Sequence, residues 1–189
     1  MKISDFKLHR LHVPLRETIG DSQVRFDDHW MTIVELETDD GQTGVGWDIQ
    51  QGVPTASQAD QEAVFRHSSW PTIEGHNPLS LALRISRPRG GNVGVGFRPI
   101  TVETALWDLA AKQIGLPLYK VLGGESPEVR AYASTLDFHL SDQQFREKLE
   151  NFHQLGFRAV KIKVGHPDLQ WDLRRMGIAV EVMGQGQPL

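Results

Sequence analysis

After about residue 125 the sequence settles into one rhythm, strand–helix–strand–helix, and no other feature restricts the fold as much. Val129 to Leu136 reads as a strand, and Ser141-Asp142-Gln143-Gln144 opens a helix running to about Leu155, which Gly156 closes. Ala159 to Val164 is a short, nearly continuous apolar strand interrupted only by lysines. Gly165-His166-Pro167-Asp168 then caps a last helix reaching about Met183. Strands that alternate with helices imply parallel pairing, with each helix as the crossover, and so a parallel sheet or barrel.

The preceding part follows other rules. Residues 2–13 read as a strand, with Ile3, Phe6, Leu8, Leu11 and Val13 loosely at period two and Pro14 ending the run. Residues 15–28 are polar and read as a flexible surface loop. Met31, Ile33 and Leu36 mark a second strand; Asp39-Asp40-Gly41-Gln42 turns it, and Thr43 to Trp47 returns, completing a three-stranded antiparallel meander. Helices are expected over Ala59–His67 and Pro78–Ile85, with a loop over Arg87–Arg98. The strongest helix follows, capped by Thr101, with Val102, Ala105, Leu106, Leu109 and Ala110 as its apolar stripe and Gly115 as its stop. A short helix from Pro117 to Leu122 ends at Gly123-Gly124. The architecture therefore changes near residue 125, from α+β to β/α.

The lysine-bearing strand carries the chemistry. Side chains two apart share a face, so Ala159, Lys161 and Lys163 point one way, and Val160, Ile162 and Val164 the other. The two lysine Cα atoms lie roughly 6–7 Å apart. If that face points into a barrel, two partly desolvated ammonium groups disfavour each other's charge, and one lysine becomes usable as a general base near neutrality. Lys163 lies nearer the C-terminal end of the strand, where barrel active sites are built. Lys-x-Lys alone is a weak pattern that reads first as a solvated edge strand; the Val164 to Asp168 turn and the strand–helix context are what favour the barrel reading.

Composition narrows the partners. A net charge of −4, a pI near 6.0 and the lack of any basic block argue against nucleic acid or an anionic membrane as partner. The absence of cysteine excludes disulfides and thiolate chemistry. No apolar run approaches the roughly 18 residues of a membrane span, and the N-terminus lacks a signal-peptide core, so a cytoplasmic chain is expected. Other candidate groups have plainer readings. Asp168 and Asp172 suit helix capping and dipole pairing, and His9 and His12 face opposite sides of a strand. His166 reads as a turn residue within reach of substrate, and the five tryptophans as core or interdomain packing. Gly90 to Gly96 has no phosphate-loop lysine and reads as a connection.

Ala105-Leu106-Trp107-Asp108-Leu109-Ala110-Ala111-Lys112, then Gly115-Leu116-Pro117-Leu118-Tyr119 and Leu122-Gly123-Gly124, resembles the mandelate racemase/muconate lactonizing branch of the enolase superfamily. Arg130-Ala131-Tyr132-Ala133-Ser134 and Gly156 to Gly165 continue the match in order and spacing. The resemblance covers essentially the whole chain and is weakest over 60–98. It implies an α+β capping domain over residues 1–125, and over 126–189 the first two β/α units of an incomplete TIM-like barrel. It further implies Mg²⁺-assisted abstraction of the proton next to the carboxylate of a small hydroxy-acid or sugar-acid substrate. By position Lys163 matches the catalytic base and Lys161 its tuning companion. A capping-domain loop, roughly Glu17 to His29, would close over the substrate.

A full barrel needs eight strands and typically about 250 residues. The family's three metal-ligating carboxylates lie on the third to fifth strands, and this sequence ends about where the third begins, so no metal ligand is assigned. The expectation is a dehydratase, racemase or epimerase truncated after the second unit and inactive alone. Two readings compete with it: a non-catalytic capping-domain remnant that binds a partner or oligomerises, and a half-barrel completed in trans by a second chain. Homo-oligomerisation and substrate identity stay open.

Overall fold

The computed structural model describes residues 1–51, 56–84 and 99–184. They form two compact units: Met1–Val13 with His29–Pro127, and Pro14–Asp28 with Glu128–Leu189. The loop expected over Arg87–Arg98, with its glycine run, lies outside the described residues, as does Ile85.

The sheet is three-stranded and antiparallel, β1 (Ile3–Gly20), β2 (Arg25–Thr38) and β3 (Thr43–Gln51) in that spatial order; the first unit is built on it, and the tip of the β1–β2 hairpin, Pro14–Asp28, is counted with the second. The expected turn is present. The Thr38 N–H donates to Gln42 O at 2.9 Å, and Gly41 takes φ +82°, a left-handed conformation open to a residue without Cβ. Phe6 and Leu8 of β1 and Val34 and Leu36 of β2 are buried. On them pack α1 (Gln58–Ser68), a 3₁₀ turn (Trp70–Thr72), α2 (Pro78–Leu83) and α3 (Ile100–Ile114).

Helix α3 is the centre of this core, and its expected stripe is fully buried: Val102, Ala105, Leu106, Leu109 and Ala110 are all 0 % exposed. It lies directly on β3 because two strand positions have no side chain. A Cβ on Gly46 would stand 1.8 Å from Thr101 O, and one on Gly44 2.4 Å from Ala105 O. The edge of β3 is held from the same helix. Asp108 accepts the Val45 N–H at 2.9 Å, and Lys112 donates to Thr43 O at 2.6 Å and to Asp108 at 2.8 Å. Thr101 is not the cap. The helix begins two residues earlier, with Pro99 at the cap position, which puts Thr101 in the first turn against the core. Gly115 ends α3 at φ +73°, and α4 (Leu118–Val121) follows. Trp70 and Trp107 pack on this core as expected, whereas Trp47 is 53 % exposed.

The second unit contains β4 (Ala133–Ser134), α5 (Asp142–Gln154), β5 (Val160–Lys161) and α6 (Leu169–Met183), and β4 pairs with β5 in parallel. The expected strand over Val129–Leu136 shrinks to two ladder residues, and Val129 is 86 % exposed. Ser141 and Gln144 close a reciprocal capping box on α5, and Asp168 caps α6. Leu140, Phe145, Leu149 and Ala179 form the core, with Val160 and Ile162 packed on it. Leu169, Leu173, Met176 and Val180, spaced along α6, remain 47–64 % exposed. None of the described helices is long and apolar enough to cross a membrane.

Residues 15–28 are not a loop. β1 runs through Pro14 to Gly20, and the chain returns from Arg25, so only the tip turns. Proline is tolerated because β1 is an edge strand, where a missing N–H breaks no ladder on its open side. The tip is an Asx turn: the Asp21 carboxylate accepts the N–H groups of Gln23 (2.9 Å) and Val24 (3.1 Å).

Candidate active site

The strand face predicted from alternation is realised at its centre. Val160 and Ile162 pack into the core of the second unit, Lys161 is exposed on β5, and Lys163 lies half-buried just beyond the ladder. Val164 does not join the apolar face. It is 51 % exposed, because the backbone turns at Gly165, whose φ is +110°.

The ladder pairs Ser134 with Lys161 and then stops. Past that point the Lys163 N–H donates to Asp137 Oδ1 at 3.2 Å. Asp137 is 1 % exposed, and burial pushes its carboxyl above the ordinary aspartate value. The Asp137 and Lys163 N–H groups oppose that shift, as do the charges of Arg175 and Lys148. The Asp137 backbone also bridges in parallel to Gly20, whose N–H donates to Leu136 O at 3.0 Å. The hairpin tip thereby comes to the lysine strand: Asp21 has its carboxyl lowered first by the Gln23 N–H and further by the positive charge of Lys163.

Arg175 of α6 underlies this arrangement. It is 1 % exposed, donates to Asp142 Oδ1 at 2.9 Å and to Leu140 O, and lies 4.4 Å from the ring centres of both Phe145 and Trp171. Burial disfavours its charge, and Asp142 and Asp137 favour it. On the far side of Lys163 the chain is fixed by Asp172, which accepts the N–H groups of Gly165 (3.0 Å) and His166 (3.3 Å). Asp172 thus holds the turn, while Asp168 caps the helix. His166 sits in that turn as expected, its Nδ1 accepting the Asp168 N–H at 3.0 Å and its ring stacked on Trp171 at 4.9 Å. His9 pairs with Glu35 and His12 stacks on Trp30.

Sequence reasoning missed Asp137, Arg175 and Asp21. The position of Asp137, just past the end of the first strand of the β/α part, was the available signal. Nothing local marks Arg175, one of several charged residues on an amphipathic helix. Among the described residues no three His, Asp or Glu side chains converge as a metal site, so they do not by themselves fit a magnesium ion.

Residues 7–123 match the family model of the mandelate racemase / muconate lactonizing enzyme N-terminal domain. The chain belongs to that family. It is 32 % identical over 96 % of its length to the 3,6-anhydro-alpha-L-galactonate cycloisomerase of Streptomyces coelicolor, matching 51 % of that protein. Among solved structures it is similar to a Mesorhizobium loti protein proposed to be a mandelate racemase, at 38 % identity and a TM-score of 0.88, covering 98 % of this chain and 49 % of that one. It is also similar to a Streptomyces coelicolor racemase solved with bound magnesium, at 26 % identity and a TM-score of 0.79, covering 99 % of this chain and 54 % of that one. Other relatives in the enolase superfamily are sugar-acid dehydratases, racemases and epimerases. This member of the family spans about half the length of the curated relatives it matches.

Proposed function

We propose that this chain supplies the capping domain and the first two β/α units of a barrel enzyme. That enzyme removes the proton next to the carboxylate of a hydroxy acid or sugar acid. Lys163 is the base, and Lys161 is its companion, which helps neutralise the substrate carboxylate. The observation that carries this reading is the parallel β4–β5 pair. Two residues past its last pair, Ser134 with Lys161, stands half-buried Lys163, whose N–H is held by Asp137 and whose following turn is held by Asp172. Holding the backbone spares part of the entropy a base would otherwise lose on reaching its substrate proton, and leaves the side-chain rotamers to be ordered. The names of the relatives support the reaction class, and magnesium in a relative's structure supports metal assistance in the whole enzyme.

The described residues hold no metal cluster, so the chain alone is expected to leave α-protons in place. The test is α-proton exchange in D₂O, followed by NMR over a panel of sugar acids with Mg²⁺. The wild-type chain and Lys163→Ala are compared, each alone and each mixed with the separately produced C-terminal half of a relative. The reading predicts exchange only in the mixture and only with Lys163 present. Exchange by the chain alone, or by the mixture containing Lys163→Ala, overturns it.

A further inference from the structure

We infer that Asp137 is the positioning residue for Lys163, fixing the base through the backbone rather than through its ammonium group. The inference rests on the reading of Lys163 as base. The parallel ladder ends at Ser134 and Lys161, and among the described residues the strand has no ladder partner beyond that pair. Ile162 is held there by packing, and Lys163 by the hydrogen bond from its N–H to Asp137.

Without a side-chain acceptor, the N–H of half-buried Lys163 would be an unmet donor past the end of the ladder. Asp137 supplies that acceptor. A carboxylate 1 % exposed is costly to keep unless it is held and paired. The groups facing it are the Lys163 and Asp137 N–H groups, Arg175 from α6 and Lys148 from α5. Arg175 is immobilised in turn by Asp142, Leu140 O and two aromatic rings. The charge of Arg175 on α6 thus favours the Asp137 carboxylate, and that carboxylate holds the backbone of the base. Asp137 does not touch substrate in this scheme; it sets where the Lys163 Cα stands.

The test uses ¹H–¹⁵N spectra of the full chain, with the Lys161 amide as internal reference, in wild type, Asp137→Asn and Asp137→Ala. An amide proton bonded to a carboxylate moves as that carboxylate titrates, so the wild-type Lys163 amide should show a pH transition that Lys161 lacks. Asp137→Asn keeps an acceptor oxygen and should abolish the transition while the amide remains slow to exchange. Asp137→Ala should speed hydrogen exchange at Lys163 about tenfold, the loss of one buried hydrogen bond. A transition that persists in Asp137→Asn, or exchange at Lys163 unchanged in a folded Asp137→Ala, overturns the inference. If Asp137→Ala does not fold, the Asp137→Asn titration alone decides it. None of these readouts needs turnover, so they stand apart from the test of Lys163 as base. In the complemented assay, with kcat expressed per folded chain, Asp137→Ala should lower kcat and leave KM nearly unchanged, and Asp137→Asn, which keeps the acceptor, should restore most of the loss.

Discussion

A buried carboxylate beside a guanidinium and a lysine strand makes the stability of this chain depend on pH in a defined direction. Burial raises the Asp137 carboxyl above the ordinary value of 3.8, so the folded chain holds this proton more tightly than the unfolded one. Its contribution to stability is complete below 3.8 and is lost as the pH rises through the folded value. At neutral pH the folded state therefore carries the burden of a desolvated charge. Asp137→Asn keeps the shape and one acceptor without that charge. Its melting temperature should exceed that of wild type at about pH 7, and the gap should close as the pH falls below about 4. Thermal melts across that range check the prediction, and a gap that widens on acidification would contradict it. The carboxylates of Asp21, Asp40, Asp60 and Glu181 are shifted down and act in the opposite sense, so the comparison must be made between variant and wild type at each pH.

At the scale of elements, the closest packing in the first unit depends on two absent side chains. Gly46→Ala would place a Cβ against the backbone of Thr101, which cannot rotate away, so α3 must shift off β3. The expected destabilisation is about 3 kcal/mol, readable by urea denaturation. Gly41→Ala, in the hairpin turn at φ +82°, should cost only about 1 kcal/mol, because its Cβ meets nothing within 4 Å and only the backbone is strained. On α5, Ser141→Ala removes half of a capping box and should cost about 1 kcal/mol, read by the same denaturation. These elements were legible in the sequence because their causes are local. The stripe of α3, the Asp39–Gln42 turn and the Ser141 cap are each written within a few residues. Residues 15–28 were misread because a polar hairpin arm has no apolar period, and Pro14 signals a stop unless the strand is known to be an edge. The strand over Val129–Leu136 was overextended because pairing is decided by the partner strand, which local sequence does not contain. Lys161 and Lys163 were legible as a pattern, but Asp137 and Arg175 are brought near that strand only by the tertiary fold.

Taken whole, the two units differ in how much apolar surface each encloses. The first closes a continuous core around α3, with Ile3, Leu36, Ile73, Leu106 and Leu109 essentially inaccessible. The second rests on Leu140, Phe145, Leu149 and Ala179, two ladder pairs, and a buried arginine that contributes less stability than an apolar side chain of its size. Along α6 four apolar side chains stay about half exposed, so that helix gains little from burial on that side. Local opening should follow this imbalance. Native-state hydrogen exchange is expected to show amides of α5 and α6 opening at lower free energy than those of α3, in a step that leaves the sheet of the first unit protected. Phe145→Ala should lower the opening energy of α5 and α6 by about 3–5 kcal/mol and leave that of α3 unchanged. Equal protection across α3, α5 and α6, or a Phe145→Ala effect that reaches α3 in full, would mean that the chain opens as one cooperative body. The same measurement bears on the role proposed for Lys163, since Asp172 of α6 holds the turn that follows it.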